Sequence, residues 1–189
     1  MQCNRHPKAI YSLGIDPAGS GKDYAAFVIL EKKAYTDEPI TLVFRKLFPT
    51  CTQTELRDYA LLLDSQFNFD KIYVDLTGIG EGLNDMLHET FRDRQGKVEG
   101  VRFTNESKNE MFNNLYLLML EKKITFPETD RELTKQLLSI KYDVLALGKK
   151  RIYHEEREHD DLVCALALAG LYFSRKEQPK RNGYLVSRN

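Results

Sequence analysis

The stretch His159-Asp160-Asp161-Leu162-Val163-Cys164-Ala165-Leu166-Ala167-Leu168-Ala169 constrains the fold more than any other. Behind two adjacent carboxylates every residue is apolar and most are small. A helix of that composition is apolar all round and must be buried. A helix N-terminus accepts negative charge through its free N–H groups and its dipole, so the plain reading makes Asp160 or Asp161 a cap. Two further aspartates compete with that reading, because Asp16 and Asp75 each close a predicted strand. Acids delivered by two strands and a helix point to a divalent-metal site.

At 189 residues the chain can bury one substantial core, and its composition is that of an ordinary globular domain. The reading is a single domain over 10–175, with an N-terminal tail over 1–9 and a basic C-terminal tail over 176–189. Lys plus Arg equals Asp plus Glu at 28 each, so any contact with nucleic acid must come from local clusters. The three cysteines, Cys3, Cys51 and Cys164, are widely spaced and form no CxxC pair, which argues against a disulfide framework or a structural zinc site. With no apolar leader and no apolar run of about 20 residues, the expectation is a soluble, cytoplasmic protein with no membrane partner.

Strands are expected at Ala9 to Asp16, Tyr24 to Glu31 and Ile40 to Phe48, joined by the turns Pro17–Gly21 and Asp37-Glu38-Pro39, which makes an antiparallel meander. Gly19-Ser20-Gly21-Lys22 is not a phosphate-binding P-loop. Asp16 stands where its first glycine belongs, Asp23 replaces Ser or Thr, and a strand follows instead of a helix. Thr52 with Glu55 reads as a capping box opening a helix that ends near Asn68. Lys71 to Asp75 is a short buried strand, Thr77–Gly80 turns into a helix on Leu83, Met86 and Leu87 that Gly96 closes, and Val98 to Phe103 is a fifth strand. Helices follow at Asn105 to Lys123 and Arg131 to Ile140, then a hairpin over Asp143 to Tyr153 turning at Gly148-Lys149-Lys150-Arg151. The fold class is α/β: a mixed five-stranded sheet, three antiparallel strands then two parallel, flanked by helices, with a small β-hairpin before the last helix.

In such sheets ligands sit off the carboxyl ends of the strands. Strands one and four would be neighbours, bringing Asp16 and Asp75 together, and two close carboxylates call for a cation between them. All-oxygen donors favour Mg²⁺ or Mn²⁺. Two such ions clamp the attacking and leaving oxygens of a phosphodiester displacement, with Asp16 bridging both ions, Asp75 on one and the helix acid on the other. Asp161 shares its helix face with Ala165, Leu168 and Ala169 and is the first choice for that acid, with Asp160 a cap or a support, although the roles can exchange at the helix entry. Lys22, Lys108, Lys149, Lys150 and Arg151 are candidates for phosphate contact, each equally readable as a solvated surface cation. His154 and His159 are candidates to orient water or move a proton, although lone histidines near a hairpin end are more often structural.

Leu13-Gly14-Ile15-Asp16, Val74-Asp75-Leu76-Thr77-Gly78-Ile79-Gly80, Phe103-Thr104-Asn105-Glu106-Ser107-Lys108 and His159 to Ala167, in this order and spacing, resemble the nuclease domain of the large terminase subunit of tailed bacteriophages. The resemblance spans Ile10 to Phe173. It implies an RNase H-like fold with a two-metal endonuclease site that cuts double-stranded viral DNA during genome packaging. It also implies partnership with a packaging ATPase domain and with other terminase and portal components. Asp16, Asp75 and the Asp160-Asp161 pair match the family's acids, whereas Cys164 stands where some relatives carry a further one. The residues before Ile10 are too few to hold an ATPase, so the chain reads as an excised domain or as a stand-alone nuclease. A Holliday-junction resolvase of the same fold is the alternative enzyme, and a DNA-docking module whose acids only cap and turn is the non-enzymatic one. Actin-like ATPases open similarly but need a duplicated domain, for which this length leaves no room.

Overall fold

A computed structural model describes residues 8–17, 24–144, 150–153 and 159–174, with the backbone alone for 142–144 and 150–153. Among the described residues, eight strands and five α-helices run in the order β1 (Ala9–Asp16), β2 (Ala25–Lys33), β3 (Ile40–Phe48), α1 (Gln53–Phe67), β4 (Lys71–Asp75), α2 (Gly80–Thr90), β5 (Val98–Val101), α3 (Asn105–Leu120), β6 (Ile124–Thr125), α4 (Arg131–Ser139), β7 (Lys141–Val144), β8 (Lys150–Tyr153) and α5 (Asp161–Gly170). The main sheet has the order β5-β4-β1-β2-β3-β6. β1, β2 and β3 form the antiparallel meander, and β4 and β5 lie parallel to β1.

The sheet therefore has six strands and not five. The missing one is β6, two residues pairing parallel with Ile40 and Thr41 after α3 stops at Leu120. A two-residue strand is too short to show a period, so only its neighbour reveals it. Several boundaries also shift: β5 ends at Val101, α3 at Leu120, β7 begins at Lys141, and α2 ends at Thr90 while Gly96 lies in the following turn at φ 79°. The hairpin is β7 paired with β8, which places Lys150 and Arg151 in a strand and not at a turn.

Alternation along the strands divides the molecule into two faces. On one face Tyr11, Leu13, Ile15, Phe27, Ile29, Ile72 and Val74 pack against Leu56, Ala60, Leu63 and Phe67 of α1 and Leu83 and Leu87 of α2. On the other, Ala26, Val28, Leu30 and Tyr73 pack against α3, α4 and α5. By the same alternation Asp16 and Asp75 continue the side of β1 and β4 that carries Gly14 and Tyr73, the α5 side.

α5 is buried along its entire length. It sits on β1 where Gly14 presents only a backbone, and a Cβ on Gly14 would fall 2.0 Å from the carbonyl oxygen of Ala165 and 2.7 Å from the amide of Ala169. Beside this contact the buried Ser12 hydroxyl donates to the Ala169 carbonyl at 2.7 Å. The small residues of α5 thus serve close approach to the sheet, and that approach delivers the helix N-terminus to the ends of β1 and β4. None of the described helices is long and apolar enough to cross a membrane.

Candidate metal centre

Ile15 pairs with Val74 in parallel register, so the next residue on each strand, Asp16 and Asp75, stands at the same end of the sheet. Asp75 is buried, and its Oδ1 accepts from the Thr77 amide at 2.9 Å and the Thr77 hydroxyl at 2.8 Å. The chain turns sharply there because Gly80 lies against the Asp75 carbonyl, 1.7 Å from where a Cβ would be. Asp161 is buried at the first position of α5, and His159 Nδ1 lies 3.5 Å from its Oδ2. The His159 ring meets Tyr24 edge-on at a centroid distance of 5.4 Å.

Asp160 stands at the N-cap position of α5 but makes no capping hydrogen bond through its side chain. The cap comes from elsewhere. Gln136 of α4, 2% exposed, accepts the Leu162 amide on Oε1 at 2.9 Å. This releases Asp160 from the plain role of a cap, and its Oδ2 accepts from Lys108 Nζ at 2.8 Å. The Cys164 amide, one turn on, donates to the Asp160 carbonyl at 2.8 Å.

The electrostatics unite these groups. Burial pushes Asp16 well above the ordinary carboxylate range, and the charges of Asp75, Asp161 and Asp160 push it further, with Lys108 opposing them. Asp75 is raised by burial, against the Thr77 hydrogen bonds and Lys108, with Asp160 adding to the rise. Lys108 is held above its ordinary value: burial disfavours its charge, but Cys164, Asp160 and Asp16 outweigh that. Burial, then Asp16 and Asp160, push the Cys164 thiol well up, against the opposing charge of Lys108.

Among the described residues no three His, Cys, Asp or Glu side chains stand close enough to hold an ion with these rotamers. Asp75 is turned to Thr77 and Asp160 to Lys108. The donor set itself fits a hard divalent cation. Four carboxylates share one end of the sheet, and their repulsion is the strain that a cation would relieve. Of the phosphate candidates, Lys108 joins the acids and is occupied by Asp160. The side chains of Lys150 and Arg151, and Lys22, Lys149 and His154 altogether, lie outside the described residues. Sequence reading missed Gln136, whose contact with α5 is long-range and leaves no local signature, and Thr77, whose position two residues after Asp75 is an Asx-turn signal.

An α/β sheet in this strand order, with acids from two parallel strand ends and the head of a cross-packed helix, defines an RNase H-like domain. The Terminase RNaseH-like domain family matches residues 13–173, and the chain belongs to that family. Among relatives, the "Probable terminase, ATPase subunit" of Haemophilus phage HP1 is 25% identical over 172 residues, 89% of this chain and 28% of its own. The terminase large subunit of Thermus phage G20c is 25% identical over 177 residues, 90% of this chain and 33% of its own. The chain thus spans a third or less of the length of these relatives. In fold it resembles the crystal structure of the large terminase nuclease of phage G20c, at TM-score 0.68 and 24% identity, covering 90% of this chain and 84% of that one. The magnesium-bound structure of that nuclease gives TM-score 0.71 at 22% identity, covering 89% and 84%. Structures of it with bound cobalt and bound zinc are similar as well.

Proposed function

We propose that this chain is a divalent-metal-dependent endonuclease domain that cleaves double-stranded DNA during viral genome packaging. One observation carries the reading: Asp16 and Asp75 end adjacent parallel strands, and α5, packed across Gly14, brings Asp160 and Asp161 to the same end of the sheet. Asp16, Asp75 and Asp161 would hold Mg²⁺ or Mn²⁺, with Asp160 beside them, and a pair of such ions supplies a clamp for in-line phosphodiester displacement. The magnesium-bound nuclease of phage G20c supports that donor preference by analogy.

The chain's own residues supply position. Thr77 fixes Asp75, Gln136 fixes the head of α5, and His159 flanks Asp161, where it can orient the carboxylate or take a proton. Lys22, Lys149, Lys150 and Arg151 are proposed to meet phosphates without reading sequence. The functional unit is 10–175, with tails over 1–9 and 176–189. By analogy with the longer relatives, it acts beside a packaging ATPase domain and other terminase and portal components, in the host cytoplasm.

The test is cleavage of linear plasmid DNA with Mg²⁺ or Mn²⁺, with four-way junction DNA alongside. The wild-type chain cuts linear duplex, and Asp16→Asn lowers the rate by more than about 100-fold, since even the outer partners of metal ligands are worth roughly 10–100-fold. Cleavage by Asp16→Asn at the wild-type rate contradicts the assignment, and cleavage confined to the junction selects the resolvase reading instead.

A further inference from the structure

The acid cluster contains a cation whose placement the nuclease reading does not require. Lys108 sits in the first turn of α3, whose start is fixed by the reciprocal Thr104 and Ser107 capping bonds and by the Ser107 hydroxyl donating to the Arg102 carbonyl at 2.8 Å. Its Nζ lies 5.9 Å from the Phe103 ring centroid and 5.6 Å from that of Phe112, so two aromatic faces line its path. It ends on Asp160 Oδ2 at 2.8 Å, with the Lys108 side chain 26% exposed and that of Asp160 15% exposed. The side chain is led inward past two rings to a carboxylate, and its charge acts on Asp16 and Asp75 too.

We propose that Lys108 is the resident counter-charge of the acid cluster. It neutralises Asp160, stabilises the fold when no ion is bound, and lowers the affinity of the remaining acids for divalent cations. The inference rests on the metal-site reading above. On this account Asp160 is a positioning residue, partner to Lys108, and Asp161 is the acid that α5 offers to an ion. Gln136 makes the division possible, because it caps α5 and leaves the Asp160 carboxylate to Lys108.

Isothermal titration of Mn²⁺ into the whole chain tests this, with a thermal melt of each metal-free variant. Lys108→Met keeps the aliphatic stem between the rings and removes the charge. It binds Mn²⁺ about tenfold tighter than wild type, the scale of one unscreened charge nearby, and melts lower without metal. Asp160→Asn leaves Lys108 to act undiluted on Asp16 and Asp75 and binds Mn²⁺ more weakly. The double variant returns to within about threefold of wild type, the coupling expected of a neutralised pair. Lys108→Gln provides the same charge removal should Lys108→Met fold poorly.

Unchanged or weaker Mn²⁺ binding in both Lys108 variants overturns the inference and leaves the metal site standing. A double variant as weak as Asp160→Asn also overturns it, by making Asp160 a direct ligand. Absence of Mn²⁺ binding by the wild-type chain overturns the metal-site reading, and this inference falls with it.

Discussion

At Asp16 the electrostatic cost of the acid cluster is concentrated on one residue. A carboxyl whose folded pKa lies above its unfolded value holds its proton better when folded. Such a group favours folding below the ordinary carboxylate range, and that contribution is lost as pH rises through the folded value. At neutral pH the metal-free protein therefore carries a cost at this position, raised by burial first and by Asp75, Asp161 and Asp160 after it. Asp16→Asn removes the charge and keeps the shape. It should raise the melting temperature of metal-free protein at pH 7 by about 2–4 °C for each kcal/mol of repulsion relieved, and by less at pH 4. A melt of both proteins at the two pH values, in chelator, decides it, and an unchanged or lower melting temperature at pH 7 contradicts the account. Asp16 and Asp75 were legible from sequence because each ends an apolar run, the place where a strand delivers a side chain to a crevice. Gln136 was not, because a cap supplied across 26 residues depends on how α4 meets α5.

At the scale of the element, α5 sets where Asp160 and Asp161 stand. Its apolar sequence announces burial but not the partner, and the partner proves to be the bare backbone of Gly14. Gly14→Ala drives a methyl group into the Ala165 carbonyl, a backbone atom that a rotamer change cannot move aside. The expected cost is about 3 kcal/mol, the upper part of the range for overpacking, or roughly 6–12 °C in melting temperature. DNA cleavage should fall as well, because the shift that relieves the clash carries Asp161 away from Asp16. A variant with the wild-type melting temperature contradicts the close packing. The helix starts were readable where the cap is local: Thr52 with Glu55 forms the capping box, and its hydroxyl accepts the Glu55 amide at 3.2 Å. The start of α5 was readable too, but its two aspartates suggested a cap that Asp160, at the N-cap position, does not supply through its side chain.

Over the whole molecule, the meander, the parallel addition of β4 and β5 and the final hairpin followed from periodicity and turn residues. β6 did not, since two residues pairing with the start of β3 carry no period of their own. The two faces explain why this sheet suits the chemistry. Leu13, Ile15, Ile72 and Val74 secure one face on α1 and α2, and the residues between them turn Asp16 and Asp75 toward α5. Whether these acids form a divalent-cation site is read from anomalous scattering by a crystal of this chain soaked in Mn²⁺. The expected result is anomalous density bounded by the carboxylates of Asp16, Asp75 and Asp161, with Asp160 still on Lys108. A fully soaked crystal with no anomalous density among these acids would contradict it.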